Sequence, residues 1–118
     1  MPRTSFAAIG ICLTAFAAVA DEPAPALAER AEKLMAQVKS AMRAGRYAEA
    51  IPLQTELVDI ARKMYPPSSH PRGHAAIAVE LANLGESLRD AGKFELASKP
   101  FEEAAAMLRG LYPPAEYP

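Results

Sequence analysis

His70 and His74 have the residue type and the spacing for metal binding. Two imidazoles four residues apart lie on one face of a helix and can share a metal ion. Pro71 and Gly73 stand between them, which predicts that at least His70 lies in a loop. The nearest carboxylates that could complete a ligand set are distant from the two histidines in the sequence. We therefore treat a metal site as the weaker alternative and expect neither a metal nor a cofactor.

The side-chain sets of the common catalytic mechanisms do not stand out in the sequence. We find no Ser/His/Asp set, catalytic cysteine, Gly-rich phosphate loop or pair of catalytic carboxylates. The chain has 13 basic and 14 acidic side chains and no basic run with interleaved aromatic residues. That pattern does not favour nucleic acid. The sequence predicts a protein without enzymatic activity and without a nucleic-acid partner.

Residues 1–20 are predicted to be a secretory signal peptide. Arg3 gives a positive start, residues 6–19 form an uncharged apolar run, and Ala18-Val19-Ala20 is a small-x-small cleavage signal before Asp21. An uncleaved anchor is one alternative, although it would need about 18 to 20 apolar residues. A lipid anchor at Cys12 is the other. We expect export to a bacterial periplasm or secretion, and no stable membrane span after cleavage.

The remaining chain is predicted to be an all-α domain. Cys12 is the only cysteine, so residues 21–118 hold no disulfide and must be stabilised by helix packing. We expect a linker at residues 21–26, a helical domain at 27–112 and a tail at 113–118. Within the domain, apolar residues recur three and four apart, glycines follow two of the helices and Tyr-Pro-Pro ends the other two. The predicted helices cover residues 26–44, from 47 to the Tyr-Pro-Pro at 65–67, 74–91, and from 94 to the Tyr-Pro-Pro at 112–114.

Each predicted helix carries one apolar stripe for the core. Gly85 interrupts the third stripe, and its expected role is to let the neighbouring helix approach the backbone closely. Ser68 or Ser69 is expected to cap the third helix. The stripes are Leu27, Ala31, Leu34, Val38 and Ala41; Ala50, Leu53, Leu57, Ile60, Ala61 and Met64; Leu81, Leu84 and Leu88; and Phe94, Ala97, Phe101, Ala104, Leu108 and Leu111.

The two halves of the domain are related by an offset of 47 residues without a gap. The offset carries Gly45 to Gly92, Tyr47 to Phe94, Ala50 to Ala97, Arg62 to Arg109, Leu34 to Leu81, and the Tyr-Pro-Pro at 65–67 to that at 112–114. Agreement of several anchors indicates duplication. In the first copy, Val38 stands at the position of Gly85 and Gln54 at that of Phe101. The expected fold is two antiparallel helix-turn-helix units stacked side by side as a short α-solenoid.

The second copy, residues 81–114, resembles the tetratricopeptide repeat. The matching positions are Leu84, Gly85, Leu88, Gly92, Phe94, Ala97, Phe101 and Ala104. Asn83, the His70-Pro71 pair and the YAEAIPL run at 47–53 are similar to the longer kinesin-light-chain type. Leu81 replaces the early aromatic residue of the family pattern, and the terminal proline comes late, at Pro113.

The resemblance implies a peptide-binding groove lined by the first helix of each unit. The residues implied are Met35, Lys39, Met42, Ala82, Asn83, Glu86 and Arg89. Asn83 matches a groove asparagine that bonds a peptide backbone, since an amide donates and accepts at once. As alternatives, Asn83 is a solvated helix residue, the two methionines are core or interface filler, and Arg89 is a solvated turn charge.

The expected function is that of an exported scaffold that holds a protein or peptide segment of unknown identity. The outer face of the fourth helix, near Phe101, Met107 and Leu111, is expected to be incompletely covered, because repeat proteins are usually built from three or more units. This predicts a homo-oligomer or docking to a larger partner. The alternatives are a small helical-bundle carrier for a metal or small ligand and a structural accessory subunit of an envelope complex.

Overall fold

The structure is a computed structural model that describes residues 23–116. Within these residues the chain forms four helices and no strand. Helix α1 spans Ala24–Arg43, α2 Tyr47–Met64, α3 Ala75–Asp90 and α4 Phe94–Leu111. Contacts join α1 to α2, α2 to α3 and α3 to α4. The molecule is therefore two helical hairpins stacked side by side, and the predicted all-α class is confirmed. The predicted signal peptide lies outside the described residues.

Both hairpins turn through the same backbone motif. Gly45 and Gly92 have φ of 75° and 80°, in the left-handed region that favours glycine. In the second turn the Lys93 amide donates to the carbonyl of Leu88, 2.8 Å away. In the first, the Arg46 amide donates to Ala41 at the same distance. These six-to-one bonds are those of the Schellman motif, so the predicted turns are confirmed at both glycines.

The boundaries differ from the predictions at two helix starts. Helix α1 begins at Ala24, so the last three residues of the predicted linker are helical. A proline in the first turn permits this, since its missing amide hydrogen would have no helical partner there. Neither Ser68 nor Ser69 caps α3. His74 does so, because its Nδ1 accepts a hydrogen bond from the Ala76 amide at 3.0 Å.

Two clusters of buried apolar residues form the core of the described chain, one between α1 and α2 and the other joining α2, α3 and α4. Leu27 and Leu34 of α1 pack with Leu57 and Ile60 of α2 inside the first hairpin. The second cluster joins both hairpins, and its buried members are Val58, Ala61, Ile77, Ala78, Leu81 and Ala104. Helix α2 thus faces α1 on one side and α3 on another.

Gly85 permits close approach of α3 and α4, as predicted. A Cβ at this position would lie 2.8 Å from the ring of Phe101, which is closer than real side chains come. The prediction for the rest of the α4 stripe is partly wrong. Phe94 is 69% exposed and Leu108 is 40% exposed, so neither belongs to the core.

The expected gap on α4 also lies elsewhere on the helix. Phe101 packs on Gly85, and Met107 packs on Gly73, where a Cβ would come within 2.7 Å of the sulfur. The large apolar side chains that α4 and its end expose are Phe94, Leu96, Leu108 and Tyr112. None of the four described helices is long and apolar enough to cross a membrane.

Candidate functional site

A groove lies between α1 and α3 and has α2 as its floor. Its volume is about 290 Å³. Helix α1 supplies Met35, Val38, Lys39 and Met42, α2 supplies Gln54 and Leu57, and α3 supplies Glu80, Asn83, Glu86 and Ser87. These residues recur three and four apart on each helix, so each helix presents one face to the groove.

The floor is apolar except for one amide that crosses between the hairpins. Leu57 is buried, and Gln54 is 2% exposed. The Gln54 Nε2 donates to Glu80 Oε2 at 2.6 Å and lies 3.4 Å from the Glu80 carbonyl oxygen. A buried amide needs such partners, because an unsatisfied one costs about 1 to 3 kcal/mol. This bond fixes α3 against α2 and sets the depth of the groove.

The two walls differ in charge. Lys39 is the basic group of the α1 wall, whereas the α3 wall carries the carboxylates of Glu80 and Glu86. Lys39, Asn83 and Glu86 make no side-chain hydrogen bond or ion pair within residues 23–116. Their polar atoms therefore face solvent in the groove and have unused hydrogen-bonding capacity for a ligand.

The groove brings together five of the seven residues that the family resemblance implied. Met35, Lys39 and Met42 stand on α1 opposite Asn83 and Glu86 on α3. Arg89 lies outside the residues that line this groove. Its Nε lies 3.7 Å from Asp90 Oδ1 at the hairpin turn. Ala82 packs against the core cluster between the hairpins instead.

Sequence reasoning missed both floor residues and three wall residues. The missed groove residues are Val38, Gln54, Leu57, Glu80 and Ser87. Glu80 could have been found, because it precedes Asn83 by three residues and Glu86 by six and so shares their helix face. Gln54 had a signal as well, since it is a polar residue at a position where the second copy has Phe101.

The histidines form part of an aromatic cluster at the joint between the hairpins. The rings of Tyr65 and His74 stack at 3.7 Å with an angle of 8° between their planes. His70 meets Tyr65 edge-on at 5.3 Å, and its Nδ1 lies 3.0 Å from Ser69 Oγ. Since His74 Nδ1 already accepts the Ala76 amide, one nitrogen of this ring is committed to the helix cap.

A metal site at this pair lacks further ligands in the described structure. Within residues 23–116 no group of three or more His, Cys, Asp or Glu side chains could hold an ion. The contacts of His74 are those of a capping and stacking residue, which joins the end of α2 to the start of α3.

A second cavity, of about 590 Å³, lies beside the loop that connects the hairpins. Its walls include His70, Arg72 and Met107, and the Arg62–Glu103 ion pair, 2.6 Å between Nη2 and Oε1, lies at its edge. The pair connects α2 to α4, because Glu103 stands on the latter helix. The cavity holds more space than the groove, but the residues implied by the family resemblance do not line it.

Comparison with protein-family models, with curated proteins and with solved structures found no match to this chain.

Proposed function

We propose that this chain is an exported scaffold of tetratricopeptide type that holds an extended peptide segment in the groove between α1 and α3, without catalysis. The observation that carries the proposal is the convergence of Asn83 and Glu86 with Met35, Lys39 and Met42 on one concave surface. Two hairpins with an internal duplication supply the architecture that the family resemblance implied.

The groove offers each type of contact that an extended peptide needs. The Asn83 amide can donate to a peptide carbonyl and accept from a peptide N–H. Met35 and Met42 offer flexible apolar walls that adapt to different side chains. A volume of about 290 Å³ lies at the small end of ligand sites, so a short segment is the expected occupant.

Selection from a phage-displayed library of random peptides, with the purified chain immobilised, tests the groove. The selected peptides should lose about tenfold or more in affinity on Asn83→Ala, as expected for about 1.4 kcal/mol of lost hydrogen bonding. Gln37→Ala is the matched control, because Gln37 is an exposed amide on α1 that does not line the groove. Equal affinity for the Asn83→Ala variant and the wild type would remove Asn83 from the site. If Met35→Ala also had no effect, the groove itself would be excluded.

Export is tested by expression of the whole chain in a bacterial host. The mass of the protein recovered from the periplasm or medium should correspond to cleavage before Asp21. Retention of residues 1–20 in a membrane fraction would support the uncleaved anchor instead. A structural subunit of an envelope complex would be exported in the same way but would select no peptide.

The second candidate function is a carrier for a metal or small ligand. The cavity of about 590 Å³ beside His70 and Arg72 is the observation in its favour. Titration of the chain with zinc, monitored by calorimetry, should show no saturable binding under the peptide proposal. Saturable binding that His74→Ala abolishes would favour the carrier.

A further inference from the structure

One flank of α4, beside the face that packs on α3, carries a row of apolar side chains. It consists of Phe94, Phe101, Ala105, Leu108 and Tyr112, and we call it the α4 face. Its last four members follow one another at intervals of four, three and four residues, so they lie in one row along the helix. Phe101 and Ala105 are half-buried, the former against Gly85 of α3, whereas Phe94, Leu108 and Tyr112 are exposed.

The equivalent positions of the first copy form a surface that packs on another helix. The 47-residue offset relates Phe101, Ala105, Leu108 and Tyr112 to Gln54, Val58, Ala61 and Tyr65. Three of these residues lie on α2 and contact α3, and the fourth, Tyr65, is the C-cap of α2 and contacts the N-cap of α3. Val58 and Ala61 pack with its apolar side chains, Gln54 bonds to Glu80, and Tyr65 stacks on His74. The row on α2 is thus the stacking surface between the hairpins.

The same row on α4 is more apolar although it is more exposed. Ala61 is 6% exposed, whereas Leu108 at the equivalent position is larger and 40% exposed. The amide of Gln54 is replaced by the ring of Phe101. A solvent-facing helix surface is normally polar, so the exposed side chains of Phe94, Leu108 and Tyr112 indicate a surface that another helix covers.

We propose that the α4 face binds the α4 face of a second copy of this chain, with the two helices antiparallel across a two-fold axis. The other end of the molecule does not offer a matching surface. The positions on α1 that correspond to Ile77, Glu80 and Leu84 of α3 hold Arg30, Lys33 and Gln37, all of them exposed. Head-to-tail stacking would remove the charges of Arg30 and Lys33, with their ion-pair partners on the same subunit, and the amide of Gln37 from water against an apolar surface, which costs free energy.

Charge placement on α4 specifies the antiparallel direction. Glu95 and Arg109 are both exposed on the same flank of the α4 face, fourteen residues apart, and neither forms a side-chain ion pair within residues 23–116. A two-fold axis near the middle of the stripe places Arg109 opposite the partner subunit's Glu95, twice per dimer. Parallel helices would place each charge at the level of its own symmetry mate, on opposite sides of the interface, and would form neither of these opposite-charge pairs. Glu102, near the axis, would repel its symmetry mate weakly, because exposed charges are screened.

The interface is small, since each subunit contributes mainly one helix of 18 residues, about 27 Å long. Such a contact lies below the roughly 800 Å² per partner of a standard interface. The dimer is therefore expected to dissociate at protein concentrations on the order of 10 µM. Two-fold pairing also closes the assembly at two subunits.

Sedimentation velocity of the exported chain across a concentration series tests the proposal. The wild type should pass from monomer to dimer, with no larger species. Leu108→Glu should shift the dissociation constant upward by at least about a hundredfold, because it buries a charge. Leu96→Glu is the matched control. Leu96 is 61% exposed on the same helix but lies about 150° around the axis from the centre of the α4 face, and its substitution should leave the dimer intact.

Three results would overturn the proposal. The first is a wild-type chain that stays monomeric at about 200 µM, which is well above the expected dissociation constant. The second is an equal effect of Leu108→Glu and Leu96→Glu on the dissociation constant. The third is the appearance of species larger than the dimer as the concentration rises. Circular dichroism of both variants verifies that the helices remain folded.

Charge reversal tests the direction of the helices. Glu95→Arg alone and Arg109→Glu alone should each weaken the dimer by about threefold to tenfold, as for exposed ion pairs. The double variant restores an opposite-charge pair across the axis and should recover the wild-type dissociation constant. Additive weakening in the double variant would exclude the antiparallel arrangement.

Discussion

The two hairpins share their turns but differ where their helices meet. In the second hairpin Gly85 receives the ring of Phe101, so α3 and α4 contact each other closely. In the first, Val38 and Gln54 occupy the same two positions, and Gln54 bonds to Glu80 of the next hairpin. In the second copy these two positions pack α3 against α4 within one hairpin. In the first copy the second of the two positions, Gln54, contacts the neighbouring hairpin instead.

This difference also explains why the groove is where it is. Val38 and Gln54 both line the groove, whereas the equivalent Gly85 and Phe101 are engaged with each other. A side chain at position 38 leaves no recess for an aromatic ring, and the amide that replaces the ring extends toward α3. The first copy has therefore diverged at the positions that connect it to its neighbour and form the candidate site.

The largest expected loss of stability comes from replacing Gly85 with valine, the residue that the first copy has at the equivalent position. Gly85→Val would place a Cβ about 2.8 Å from the Phe101 ring and so force α4 to shift. We expect a loss of about 2 to 3 kcal/mol in the free energy of unfolding, as for overpacked cores. Urea denaturation measures it.

The matched variant is the double substitution Gly85→Val with Phe101→Gln, which gives the second copy the residues of the first copy at these two positions. It should recover about 1 kcal/mol or more relative to Gly85→Val, because the clash is removed and the two positions are coupled. Strict additivity of the two single changes would contradict the view that the positions form a pair.

The next effect in size removes the link between the hairpins. Gln54→Ala deletes the bond to Glu80 and leaves space in the groove floor, and it should cost about 1.5 to 2 kcal/mol. Glu80→Gln is the control, since an amide can still accept from Gln54, and it should cost less than about 1 kcal/mol. A larger cost for Glu80→Gln than for Gln54→Ala would show that the bond does not stabilise the joint.

The smallest expected loss of stability comes from alanine substitutions at the two turn glycines, and it should have the same size in both copies. Gly45→Ala and Gly92→Ala both force a Cβ into the left-handed region, and no atom lies within 4 Å of either Cβ. Each should therefore cost about 1 kcal/mol from backbone conformation alone. Thermal unfolding of both variants would reveal an inequality, which would mean that the two turns are not equivalent.

Much of the fold could be predicted because its signals are local. The glycines at 45 and 92 and the Tyr-Pro-Pro segments ended the helices within a residue or two of the predicted positions, since backbone conformation there depends on the residue itself. The close approach at Gly85 also had a local signal. The exposure of Phe94 and Leu108 had none, because their helical period is the same whether or not another helix covers them.

The candidate site was predicted through the resemblance rather than through physical chemistry. Helical spacing placed Asn83 and Glu86 on one face of α3, but Arg89 has the same spacing from Glu86 and still lies outside the groove. The groove ends before the hairpin turn, where Arg89 meets Asp90. The packing of the two hairpins decides how far along α3 the groove extends, and helical spacing does not contain that information.

The sequence by itself determined four helices, two glycine turns and a 47-residue duplication, because propensity, period and turn chemistry act over a few residues. Only the tertiary structure decided that Gln54 bonds to Glu80, 26 residues away, that His74 rather than a serine caps α3, and that α4 exposes an apolar row. Those outcomes depend on which faces meet when the hairpins stack, and contacts between residues distant in sequence decide them.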